Sequence, residues 1–154
     1  AGTLLADIES FLPTHAGAHP IYEGERLIGL ATETHEEMDG VVEFLTRECV
    51  RVPGFHFMRN SIYVRFCHEA YSKGTALGEL ARLTGISRAE IFAAGDHYND
   101  LPMLDGRHAA WVACPGNAVE AVQRAVRQAG GYVAKGECSV GIVEALRHFG
   151  AGLK

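Results

Sequence analysis

In the stretch IFAAGDHYNDLPML, from Ile91 to Leu104, apolar and small residues run up to Gly95, and Asp96, His97, Tyr98, Asn99 and Asp100 follow. Two carboxylates and an amide this close together are hard oxygen donors, a set that suits Mg2+ better than any soft metal. One carboxylate or the amide can cap the helix that starts at Leu101, with Pro102 tolerated in its first turn. The remaining carboxylate then meets like-charge repulsion unless a cation or a donor lies between the two. Lys73 is the second unusual residue: it falls in the first turn of its own helix, where the macrodipole disfavours a cation. A residue set against its local preference invites a functional reading, against the alternative that its long side chain extends into water.

The elements that must position these groups are legible in outline. Ile91 to Ala94 reads as a buried strand stopped by a tight turn, and in open α/β sheets ligands bind beyond the carboxyl ends of strands. The segment SKGTALGELARLTG predicts a helix from Ser72 to a stop at Gly85, with Leu77, Leu80 and Leu83 inward. Beyond the acidic turn come a short helix, a strand at Ala109 to Ala113, a helix from Asn117 to Gln128, a short strand at Tyr132 to Ala134 and a helix near Ser139 to Phe149. Alternation of this kind implies a parallel sheet with helices packed on it.

The earlier part has a different grammar. Leu4, Leu5, Ile8, Phe11 and Leu12 recur at helical spacing up to Pro13. A turn-rich stretch follows, with a brief strand at Ile21 and Tyr22; its His15 and His19 read as ordinary surface residues. Leu27 to Ala31 predicts a strand, and Thr32 or Thr34 caps a helix that buries Met38, Val41, Val42 and Leu45. Strand candidates at Phe55 to Met58 and Ser61 to Phe66, with Arg59-Asn60 at the turn between them, complete a small α+β unit. His56, Arg59 and Asn60 are candidate substrate-binding residues, Arg59 for a second anionic or hydroxyl-rich group of a sugar phosphate.

Composition bounds the rest. The 154 residues carry a formal net charge of −5, and the basic residues are scattered, so no Lys/Arg stripe offers itself to a nucleic-acid backbone. No apolar run is long enough to cross a bilayer and no basic-then-apolar segment marks secretion, so a membrane is not an expected partner and the expected location is cytoplasmic. Four widely spaced cysteines, Cys49, Cys67, Cys114 and Cys138, read as reduced and mostly buried thiols.

Taken together, SKGTAL around Lys73, GDHYNDLPML from Gly95, CPGNAVEAV from Cys114 and GYVAKGECSVGIVEAL from Gly131 resemble the haloacid dehalogenase (HAD) superfamily of Mg2+-dependent phosphohydrolases, in the branch with a large α/β cap. The resemblance implies an α/β fold: residues 70–154 as the C-terminal half of a HAD-like Rossmannoid parallel-sheet core, residues 1–69 as part of an α+β cap domain. It implies an aspartyl-phosphate mechanism acting on a small phosphorylated metabolite. In that scheme Asp96 and Asp100 hold Mg2+, Lys73 bridges nucleophile and phosphate, and Asn99 orients the loop. His97 and Tyr98 occupy variable positions, lining the site or packing.

The family's nucleophile, on a strand ending in DxDGT or similar, has no convincing counterpart. LLADIES offers Asp7, but Glu9 and Ser10 stand where the second aspartate and the glycine belong, and the periodicity around Asp7 is helical. LATET at Leu30 to Thr34 precedes a cap-like helix and is no better. The expectation is therefore a C-terminal portion of a phosphatase, inactive alone, completed by the N-terminal half of the core or by another protomer. Two other readings stay open: a phosphomutase using the same residues, and a noncatalytic metal- or phosphate-binding module.

Overall fold

A computed structural model of the protein describes residues 2–14 and 17–150. The chain divides into two units, the first ending at Ala70 and the second starting at Tyr71. His15 lies outside the described residues; His19 is exposed on a strand.

In the first unit, α1 (Gly2–Phe11) precedes β1 (His19–Glu23), β2 (Arg26–Ala31), α2 (His35–Cys49), β3 (Phe55–Asn60) and β4 (Tyr63–His68). The strands form an antiparallel sheet in the order β1-β2-β4-β3. Asp7 is exposed on α1, on a helix as its surroundings predict. Helix α2 starts where a reciprocal cap can form: Thr34 Oγ1 accepts from the Glu37 amide at 3.2 Å, and the Glu37 carboxylate accepts from the Thr34 amide at 3.0 Å. Both helices lay apolar residues on the sheet, Leu4, Ile8 and Phe11 from α1 and Met38, Val41 and Leu45 from α2, around Leu30 and Val64.

The hairpin turn differs from expectation. Arg59 and Asn60 lie within β3, paired with Val64 and Tyr63, and the chain reverses at Ser61-Ile62, where Ser61 takes a positive φ of 55°. The ladder gains two pairs by moving the turn to Ser61-Ile62. The consequence is a change of face. Period-two alternation puts Arg59 on the side opposite His56 and Asn60.

The second unit runs α3 (Lys73–Thr84), β5 (Phe92–Ala94), α4 (Leu101–Leu104), β6 (Trp111–Cys114), α5 (Glu120–Gln128), β7 (Tyr132–Val133) and α6 (Cys138–Gly150). Its three strands are parallel in the order β5-β6-β7, with β5 at one end of the sheet. Helix α3 is capped by Ser72, whose hydroxyl accepts from the Thr75 amide at 3.1 Å, and closed by Gly85 at a φ of 72°. Ile91, Ala93, Leu104, Val112, Val122 and Val126 form the core.

Leu80 and Leu83 correct the helical expectation. They are 57% and 68% exposed, while Leu77 and Ala81 pack on the core. Two apolar stripes run along this helix in sequence, and periodicity alone does not say which one faces the sheet. The four cysteines are free, with Cys114 buried, Cys49 and Cys67 half-buried and Cys138 exposed. Burial, with Cys67 nearby, pushes the Cys49 thiol up to about 11, so this thiol is inert at neutral pH.

Candidate active site

Strand β5 ends at Ala94, and the chain turns at once so that the side chain of Asp100 folds back under it. Asp100 is 4% exposed. Its Oδ2 accepts from the amides of Asp96 at 2.9 Å and His97 at 3.2 Å, and its Oδ1 accepts from Lys73 Nζ at 2.5 Å. Three donors thus meet this carboxylate, which is the kind of compensation a buried anion requires. Gly95 makes room for it: a Cβ there would stand 2.4 Å from Asp100 Cγ.

Lys73 reaches this carboxylate because α3 and α4 approach closely. A Cβ on Gly74 would stand 2.1 Å from the Pro102 carbonyl oxygen, so only glycine lets the first turn of α3 lie against the start of α4. The unfavourable position of a cation at a helix N-terminus is offset by a buried counter-charge. The Lys73 side chain is still 48% exposed.

Asp96 is exposed, and its carbonyl ties the loop to the start of α5 by accepting from the Val119 amide at 3.0 Å. Asn99 Oδ1 is buried with no hydrogen-bond partner among the described residues. His97 is partly buried, and its ring meets that of Tyr98 edge-on, with centroids 5.0 Å apart. Lys73, Asp96, His97, Asn99 and Asp100 are therefore gathered in one place, from the first turn of α3 and the turn that follows β5.

The remaining expected site residues are in the first unit and do not form one cluster. Arg59 is on the helix-covered face, where its guanidinium pairs with Asp39 at 2.5 Å and donates to the carbonyls of Ser61 and His35. Its side chain is only 12% exposed, and an arginine held this way is a tie between sheet and helix α2. Asn60 donates to the Tyr63 hydroxyl at 2.7 Å, and His56 is exposed.

A model of the haloacid dehalogenase-like hydrolases matches residues 23–146, most of the chain. The chain belongs to that family. Among individual relatives of this HAD-family chain, the putative phosphatase YxeH of Bacillus subtilis (strain 168) is 38% identical over 52 residues, which is 34% of this chain and 17% of that protein. Among solved structures, the HAD subclass IIB sugar phosphatase BT4131 superposes with a TM-score of 0.61 at 26% identity, over 82% of this chain and 45% of that one. The sucrose-phosphatase of Synechocystis sp. PCC6803, solved with sucrose and phosphate, superposes with a TM-score of 0.67 at 19% identity, over 94% of this chain and 62% of that one. The HAD chain thus spans less than two thirds of the length of each of these relatives.

A divalent metal is a family expectation that the donor set can be tested against. Among the described residues no group of three or more His, Cys, Asp or Glu side chains converges to hold an ion. What is present is an exposed carboxylate, Asp96, with the orphaned Asn99 Oδ1 on the same loop, both hard oxygens. That set fits part of an oxygen shell for Mg2+, an ion that keeps waters and shares its coordination with substrate phosphate.

Sequence reasoning passed over Glu144, the residue that fastens the other side of this rim. From α6 its carboxylate accepts from the Tyr132 hydroxyl at 2.6 Å and from the amides of Lys135 at 3.2 Å and Gly136 at 2.9 Å. The Gly136 carbonyl in turn accepts from the Gly116 amide at 2.8 Å, joining the loops that follow β6 and β7. A lone acid within the apolar run VGIVEAL was the available signal.

The Tyr132 hydroxyl bond, with the two loop amides, holds the Glu144 carboxyl below its ordinary 4.5. A carboxylate with a depressed folded pKa contributes stability that is complete above the unfolded value and fades as pH falls through the folded one. Glu144→Gln is therefore expected to melt below the parent chain at pH 7, with the gap closing as thermal scans move below pH 4.5. A gap that is constant across that window would remove Glu144 as the loop's anchor.

Proposed function

We propose that this chain carries the metal and lysine half of the active site of a Mg2+-dependent phosphatase of small, sugar-type phosphorylated metabolites. The observation that carries the reading is the buried Asp100 carboxylate gripping Lys73 and two loop amides beneath exposed Asp96. Two cationic elements have to be brought to one point if a dianionic phosphoryl group is to approach a carboxylate nucleophile. Lys73 is one of them, oriented by Asp100 with about half of its side chain in solvent. Asp96, with Asp100 directly or through water, would hold the other, Mg2+, and the Asn99 amide oxygen is a further hard donor on the same loop; when bound, the ion neutralises phosphoryl oxygens and orients them.

The nucleophilic aspartate of the proposed aspartyl-phosphate route comes from polypeptide other than these residues, either a longer form of the chain or a second protein. Likeness to the sugar phosphatase BT4131 supports the substrate class, and the exposed, metal-suited oxygens support a catalytic use of the loop. The test is an assay of the pure 154-residue protein and of the polypeptide its source cell makes, on sugar phosphates with Mg2+ or EDTA. Metal-dependent phosphate release is expected from the cellular product and none from the 154-residue chain. Steady turnover by the latter would show that a nucleophile lies within it.

A further inference from the structure

The four-stranded sheet of the first unit has two chemically different faces. One cross-strand row runs Pro20, Leu30, Val64, Arg59; Leu30 and Val64 are fully buried beneath the helices, and Arg59 is neutralised by Asp39. The rows on either side of it fall on the opposite face, because neighbouring residues of a strand alternate. They run His19, Ala31, Tyr63, Asn60 and Ile21, Gly29, Arg65, Met58.

Arg65 lies at the middle of that face, on β4, an interior strand. It is exposed, and among the described residues no carboxylate lies within ion-pair distance of it. Neither row contains an acid. On the open face of an antiparallel sheet, charges contribute to the fold by facing an opposite charge across the strands or by blocking pairing at an edge. Arg65 does neither. Gly29 puts no side chain on one side of it, the β4 backbone lying where a Cβ would be, 2.1 Å from the Val64 carbonyl oxygen; Met58 gives an apolar wall on the other, and Asn60 orients the Tyr63 hydroxyl at 2.7 Å, leaving the phenolic proton to donate onward. Exposed His56 and His19 border the same face.

We propose that this face, centred on Arg65, binds an anionic oxygen group, a phosphate or a carboxylate, carried on a small hydroxylated metabolite. The complementarity is direct: a five-donor guanidinium without a counter-ion, a phenol and an amide surround a floor with no carboxylate on it. Arg65 then takes the anion-recognition role that the sequence suggested for Arg59. The class of ligand rests on the phosphatase reading; the location rests on the sheet alone.

The test is an NMR titration of 15N-labelled 154-residue protein with glucose 6-phosphate, with gluconate, and with uncharged glucose. Saturable shifts are expected at the amides of Gly29, Ala31, Tyr63 and Arg65 and at the Arg65 Nε–H with one or both anions, and none with glucose. A response to glucose 6-phosphate alone would name phosphate as the group, and a response to gluconate alone the carboxylate. Arg65→Gln is expected to weaken binding at least about tenfold, and Arg65→Lys less, with spectra otherwise superimposable on the parent. No saturable shift on these strands with either anion, or unchanged affinity in Arg65→Gln, would overturn the proposal. Shifts confined to the Asp96–Leu101 loop would also overturn it and leave the phosphatase reading standing. Shifts on the sheet with none at the loop would support it while counting against that reading.

Discussion

Replacing Asp100 with alanine is expected to destabilise the chain by about 2–4 kcal/mol in denaturant unfolding, the range for stripping a buried hydrogen-bonded charge from its partners. Three donors depend on this carboxylate: the amides of Asp96 and His97, and the ammonium of Lys73. The amides lose their acceptor in a turn that Gly95 holds tightly against the side chain, so water has little room to replace it. Lys73 loses less, because its side chain is half in solvent, and this keeps the cost below that of two buried ions. Asp100→Asn retains the volume and one acceptor oxygen and is expected to lose about half as much. A loss under about 0.5 kcal/mol for the alanine variant, the scale of an ordinary surface change, would mean that Asp100 does not organise the loop.

Replacing Lys73 with methionine is expected to have the opposite balance. In the catalytically complete polypeptide, kcat should fall by about 10²–10³, the usual effect of removing one preorganised charge from a transferring group. KM should change little, since the charge acts mainly as the phosphoryl group passes between oxygens. Stability should suffer less than in Asp100→Ala, because Asp100 keeps both amide donors and the half-exposed lysine contributes little net energy. Arginine should not restore the rate: its planar fork is longer than an ammonium that closes to 2.5 Å on one oxygen. Paired unfolding and kinetic measurements separate the two roles. If Lys73→Met lost stability as Asp100→Ala does but kept its rate, the lysine would be a structural counter-ion only.

These two side chains also mark how far residue order carries. Lys73 was conspicuous because it contradicts its own helix, and the acidic turn because two carboxylates exceed what capping needs. Both signals are local. That Asp100 also meets Lys73 is not local, since it depends on how α3 and α4 approach at Gly74 and Pro102. Glu144 is a similar case: a glutamate on a helix is unremarkable until the loop after β7 is folded onto it.

Alternation of apolar residues and strong turn formers, physical preferences that act within a few positions, determined most of the elements, the parallel character of the second unit and the gathering of polar residues at the end of Ile91 to Ala94. Only the tertiary structure decided faces. It placed Leu77 rather than Leu80 against the core, and it moved the hairpin turn by two residues to Ser61. That shift put Arg59 under helix α2 and left Arg65 on the open side. The reason is the same in each case: a period says which residues share a face, but which face is buried is settled by the partner that covers it.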